Sequence, residues 1–169
     1  MKKNLALTGM MGVGKSTIGK ALSERLSMQF SDIDRIIENK LKMSIKKIFI
    51  EKGEIFFRKL EEQTTLKEAG KKNIVISLGG GAFTNSKIRK NVHLNCTSFW
   101  LDLDTKLLEK RLHKSKKRPL LDNENLKEIL EKIYKERKNT YATAHYRIEC
   151  NNLNANKIIA KIIELYANN

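Results

Sequence analysis

Gly9-Met10-Met11-Gly12-Val13-Gly14-Lys15-Ser16-Thr17 decides the fold. A short apolar run, Leu5-Ala6-Leu7, precedes it, and a helical pattern over 18–26 follows. Glycine, four residues, then Gly-Lys-Ser is the P-loop signature, here in strand–loop–helix context. Glycine reaches backbone conformations closed to other residues, so successive N–H groups can turn inward around phosphate oxygens. The helix that starts at the loop's end adds its positive dipole end. Lys15 carries a compact charge for the β- and γ-phosphates, and the Ser16 hydroxyl is placed for Mg²⁺. Gly12, Val13, Gly14, Lys15, Ser16 and Thr17 are therefore the expected nucleotide-binding positions.

Outward from this loop, apolar runs alternate with helical patterns. Strands are expected over 4–8, 28–31, 73–78, 98–103 and 146–150. Helices are expected over 17–26, 34–41, 45–50, 54–69 after a break at Gly53, 86–90, 105–113, 126–141 and 155–166. Such alternation predicts an α/β fold, a parallel sheet of about five strands covered on both faces. The 169 residues suit one domain, with no repeat, linker or low-complexity tail.

The formal charge of +15 comes from 34 Lys and Arg against 19 Asp and Glu. The excess is mostly lysine scattered through helices without interleaved aromatics, so it reads as solvated surface and not as a nucleic-acid interface. Arginine is scarce: Arg25, Arg35, Arg58, Arg89, Arg111, Arg118, Arg137 and Arg147. In a chain whose default cation is lysine, each suggests a planar fork for carboxylate or phosphate. Cys96 and Cys150 lie far apart without CxxC or Cys/His clustering, which fits buried thiols in a reducing cytoplasm. No apolar run approaches membrane-spanning length, and a secretory signal is not expected because its cleavage would remove the loop.

Three further places carry chemistry. Asp32-x-Asp34 ends the second strand, where ligands of doubly wound sheets sit. Alternation in an extended segment points both carboxylates one way. One suits Mg²⁺ through a water and the other a substrate hydroxyl, while the competing reading of Asp34 is a helix cap. Ser77-Leu78-Gly79-Gly80-Gly81 runs a strand into three glycines, which permits close approach of a ligand to backbone. Finally, Arg58 has Glu61 one turn later to hold it, Arg118 precedes Pro119 in a polar loop suited to a lid, and Arg137 lies four residues before Tyr141.

Together these pieces resemble the shikimate kinase family over essentially the whole chain. The matching residues are Gly9 to Thr17, Asp32-x-Asp34, Gly53-Glu54-x-x-Phe57-Arg58-x-x-Glu61, Gly79-Gly80-Gly81, Arg118-Pro119-Leu120-Leu121 and Arg137-x-x-x-Tyr141. The resemblance implies a three-layer P-loop fold with a helical substrate-binding insert about 33–61 and a mobile lid about 112–124. It implies transfer of the ATP γ-phosphoryl to the 3-hydroxyl of shikimate, in the cytoplasm, by a monomer using ATP and Mg²⁺, with no nucleic-acid or membrane partner. Carried over by position, Asp34, Arg58, Arg137 and the triplet Gly79, Gly80 and Gly81 bind shikimate. Lys15, Asp34 and Arg118 are the catalytic set, Arg111 and Arg118 join the nucleotide site, and Ser16 and Asp32 (through water) serve the metal. The family commonly has proline two residues after the long-helix arginine and an acid soon after the tyrosine. Here these are Asn139 and Thr143, so an altered helix bend is expected. The rival readings are a gluconate or nucleoside monophosphate kinase, which need no paired arginines for a small carboxylate, and a nucleic-acid-binding regulatory NTPase.

Overall fold

The protein, seen in a computed structural model, is described over residues 3–114 and 125–168. Five strands form its sheet: β1 (Asn4–Thr8), β2 (Gln29–Asp32), β3 (Ile74–Ser77), β4 (Cys96–Asp102) and β5 (Tyr146–Glu149). The helices are α1 (Lys15–Leu26), α2 (Ile33–Leu41), α3 (Ile45–Ala69), α4 (Ser86–Asn95), α5 (Thr105–Lys114), α6 (Leu126–Tyr141) and α7 (Ala155–Ala167), with a 3-10 turn at Ala82–Thr84. All strand pairs are parallel, in the order β2-β3-β1-β4-β5. Every residue of β1, β3 and β4 is buried, as continuous apolar runs in a parallel sheet require, whereas the edge strands β2 and β5 are partly exposed.

This order creates the crevice. From β1 the chain crosses to β2 on one side, and from β3 it crosses to β4 on the other, so neighbouring β1 and β3 send their connections opposite ways. Ligands bind outside the carboxyl ends of strands at such a switch point. Leu7 pairs with Ser77, and the Leu78 N–H donates to the Leu7 carbonyl at 3.0 Å. The phosphate loop and the glycine triplet thus leave the sheet side by side. Asp32 at the end of β2 is also in register with Ser77.

Several local expectations are corrected. Asp32 and Asp34 do not share an extended segment: β2 stops at Asp32, and Asp34 lies in the first turn of α2. The cap is Asp32, whose carboxylate accepts from the Arg35 N–H at 3.2 Å. The helix expected over 86–90 runs on to Asn95 because Ile88 and Val92 are both buried, and β4 then begins two residues early at Cys96. The Gly53 break is as expected, with φ 81° and ψ 166° inside α3. With Asn139 where relatives carry proline, α6 continues without a break to Tyr141. Among the described residues no helix is long and apolar enough to cross a membrane.

Candidate active site

The phosphate loop follows its sequence closely. Gly9, Gly12 and Gly14 have φ of 136°, 78° and 105°. At Gly12 the positive φ is what favours glycine, and a β-carbon there would also press on the Leu112 side chain of α5 at 2.9 Å. Lys15 is buried, and its ammonium donates to the carbonyls of Gly9 at 2.8 Å and Met10 at 2.9 Å. Ser16 and Thr17 lie in the first turn of α1. Arg111 Nη1 on α5 donates to the Val13 carbonyl at 3.1 Å, which ties α5 to the loop.

The glycine triplet gathers the second half of the site. A β-carbon at Gly79 would strike Glu61 Oε1 and meet Asp34 Oδ1 at 2.9 Å. One at Gly81 would lie 2.7 Å from Arg58 Nη1. One at Gly80 would lie 3.9 Å from Arg137 Nη1 and 3.4 Å from the Met11 nitrogen of the phosphate loop. Asp34, Arg58, Glu61 and Arg137, from three different helices, therefore converge on three consecutive glycines.

Arg58 Nη1 donates to Glu61 Oε2 at 2.8 Å, and its Nε donates to Glu54 at 3.2 Å. Its guanidinium also lies 5.3 Å from the Phe57 ring and 5.9 Å from that of Phe49. Burial pushes its pKa down, but Glu61 and Glu54 more than reverse this and hold it above the ordinary value. Glu61 itself is 2% exposed. Burial raises its carboxyl pKa, Asp34 adds to that, and Arg58 and Arg137 pull it back only in part, so the net shift is upward. The Tyr141 hydroxyl donates a short hydrogen bond to the Gly80 carbonyl.

The residues fit a Mg²⁺ ion held mainly by its substrate. Asp32 is buried at the end of β2 and its cap engages only Oδ1, while Ser16 offers a hydroxyl. Among the described residues no group of three or more His, Cys, Asp or Glu could hold a metal. One hydroxyl and one carboxylate are the hard oxygen donors expected where phosphates and water complete the shell.

Comparison with known proteins decides the family. The family model described as shikimate kinase matches residues 11–167. The chain belongs to the shikimate kinase family. A shikimate kinase of Sulfurihydrogenibium is 40% identical over 164 residues, covering 95% of this chain and 96% of the relative. One from Bartonella henselae is 40% identical over 159 residues, covering 94% and 76%. A solved shikimate kinase from Acinetobacter baumannii in complex with shikimate superposes with a TM-score of 0.93 at 34% identity, covering 99% of this chain and 94% of that one. A Sinorhizobium meliloti gluconokinase at 13% identity and a TM-score of 0.64 shares the fold alone. Like other shikimate kinases, the chain is a phosphotransferase with an alcohol acceptor.

Arg118 and residues 115–124 of the expected lid lie outside the described residues. Arg25, Arg89 and Arg111 donate to uncharged side-chain or carbonyl oxygens. Arg147 does grip a carboxylate, the buried Asp102, at 2.7 and 2.9 Å, with Tyr134 donating to the same group. The sequence reading missed that cluster. Its signal was an acid closing a strand otherwise rich in apolar residues, β4.

Proposed function

We propose that this chain transfers the γ-phosphoryl group of ATP to the 3-hydroxyl of shikimate, yielding shikimate 3-phosphate in chorismate and aromatic amino-acid biosynthesis. One observation carries the reading. Gly80 lies against both the Met11 nitrogen of the phosphate loop and the Arg137 guanidinium, so an acid bound by the arginines sits next to the triphosphate.

Phosphoryl transfer through a loose transition state requires alignment and charge neutralisation more than covalent chemistry. Arg58 and Arg137 hold the substrate carboxylate. Asp34 accepts from the ring hydroxyls, including the one that attacks, and the Gly79–Gly81 backbone approaches the ring closely. Lys15 exchanges its loop carbonyls for β- and γ-phosphate oxygens. Ser16, with Asp32 through a water, would hold Mg²⁺, which when bound neutralises charge shared by the two phosphates. The amides of Gly12, Val13 and Gly14 cradle the phosphates, Thr17 continues the helix start, and Arg111 flanks the adenine. Arg118 delivers a cation from the lid to the transferring group. The whole works as a single kinase domain over 1–169, with a substrate-binding helical region about 33–61 and a lid about 112–124. It acts as a cytoplasmic monomer without nucleic-acid or membrane partners.

A coupled ADP-release assay with shikimate, gluconate and AMP tests the assignment. Turnover with shikimate and none above the ATP-only rate with the other two is expected. Preference for gluconate or AMP would overturn it.

A further inference from the structure

We propose that the Tyr141 hydroxyl is the positioning group that fixes the backbone of Gly80 and the Arg137 guanidinium relative to one another, and so sets shikimate affinity without touching shikimate. This rests on the shikimate reading of the site.

Tyr141 is the last residue of α6 and is fully buried. Its hydroxyl donates to the Gly80 carbonyl. Arg137 lies one turn earlier on α6, and its Nη1 would be 3.9 Å from a β-carbon at Gly80, the residue whose carbonyl the phenol holds. Burial raises the phenol pKa and Arg137 opposes that rise. Gly79, Gly80 and Gly81 have no side chains to restrict their torsions, so side-chain packing does not select a peptide plane here. A hydrogen bond to the Gly80 carbonyl does select one. The peptide is planar and trans, so fixing that oxygen fixes the Gly81 N–H in the opposite direction. The tyrosine ring is itself held by packing, since the Trp100 ring lies 6.0 Å away at 34°. A rigid ring carrying one hydroxyl thus links the α6 arginine to the glycine turn after β3. A phenylalanine would keep the packing and lose only the link.

The test compares Tyr141→Phe with Trp100→Phe, which loosens the same packing but leaves the hydroxyl. Wild type is assayed first, and its failure to bind or phosphorylate shikimate would sink the functional reading and not this inference. With wild type active, Tyr141→Phe should raise the shikimate KM about tenfold, the loss of one hydrogen bond at about 1.4 kcal/mol per tenfold. The ATP KM should stay within about twofold. Trp100→Phe should lower the Tm at least as much while leaving the shikimate KM near wild type. An unchanged shikimate KM in Tyr141→Phe overturns the proposal. So does an equal rise in both variants, or a parallel rise in the ATP KM. If Tyr141→Phe does not fold, the wild-type Tyr141 hydroxyl proton is followed by ¹H spectroscopy. A slowly exchanging resonance, slowed further by saturating shikimate without nucleotide, is expected. A hydroxyl proton that exchanges at the bulk rate, or is unaffected by shikimate, overturns it.

Discussion

Arg58→Ala is the perturbation whose consequence can be worked furthest. The acid-binding pocket holds two cations, Arg58 and Arg137, against two carboxylates, Asp34 and Glu61, a balance of 2 − 2 = 0. Removing Arg58 leaves one cation against two acids, 1 − 2 = −1, so an anionic substrate meets repulsion as well as a lost grip. A hydrogen bond to a charged group contributes about 1.5–3 kcal/mol, which is about 10- to 150-fold in shikimate KM. The Arg58 side chain is 33% exposed, which favours the lower part of that range. Glu61 then loses the strongest of the influences that pull its pKa back, and burial pushes it further up. Its protonation returns the pocket to neutrality. The variant's shikimate KM should therefore improve as pH is lowered, while the wild-type value changes less. The measurement is steady-state ADP release at saturating ATP as a function of pH, with calorimetric titration of shikimate as a check. A shikimate KM within twofold of wild type, or an equal rise in the ATP KM, would refute both the carboxylate assignment and the charge argument.

Gly79→Ala places a methyl group against Glu61 and Asp34, so the variant should fold with a similar Tm and lose about 10²-fold in kcat/KM for shikimate; near-normal activity would show that the triplet has slack. The His93 and His145 rings meet edge to face with centroids 5.1 Å apart, and burial lowers both pKa values, helped by Arg89 at His93 and by His93 at His145. A histidine with a depressed folded pKa leaves the unfolded state binding more protons, so this stability is complete above about pH 6.5 and is lost as pH falls through the folded values. The urea midpoint should accordingly drop between pH 7 and 5, and His93→Gln should flatten the drop; superimposable profiles would refute the linkage. Burial pushes the Cys96 thiol up to about 12 and that of Cys150 up to about 11, so neither should react with a thiol reagent at pH 8 until urea unfolds the chain. Labelling of the native protein would contradict this.

The parts of the fold that could be read from residues are those where one local signal dominates. Leu5-Ala6-Leu7 and Ile74-Val75-Ile76 are short apolar runs ended by glycine-rich turns, and both became fully buried central strands. The start of β4 was hidden because α4 runs directly into it with no turn residue between Asn95 and Cys96, and the burial of Val92 that extends α4 depends on packing absent from the sequence. Asp34 was placed by the wrong geometry. The pattern Asp-x-Asp suggested strand alternation, but the Asp32 side chain caps α2 and turns the chain helical one residue before Asp34. The Arg58–Glu61 pair was legible as an i,i+3 contact on one helix. The link from Tyr141 to Gly80 spans 61 positions, and no local pattern announces a partner at that range.

The site must also hold its charges before either substrate arrives, and the contacts suggest how. Lys15 is buried yet donates to two loop carbonyls, and Arg58 is paired with a buried glutamate, so neither cation stands bare in a low dielectric. On the function proposed above, binding would exchange one set of oxygens for another, phosphate for carbonyl at Lys15 and substrate carboxylate alongside Glu61 at Arg58, with little reordering of side chains. The two halves remain distinct because each cation keeps its own partner, and they remain adjacent because β1 and β3 are paired. Gly80 is where this adjacency is tightest: a β-carbon there would press on Met11 at 3.4 Å. A side chain at that point would push the phosphate loop away from the acid-binding cluster, and alignment of the attacking hydroxyl with the γ-phosphate depends on that separation.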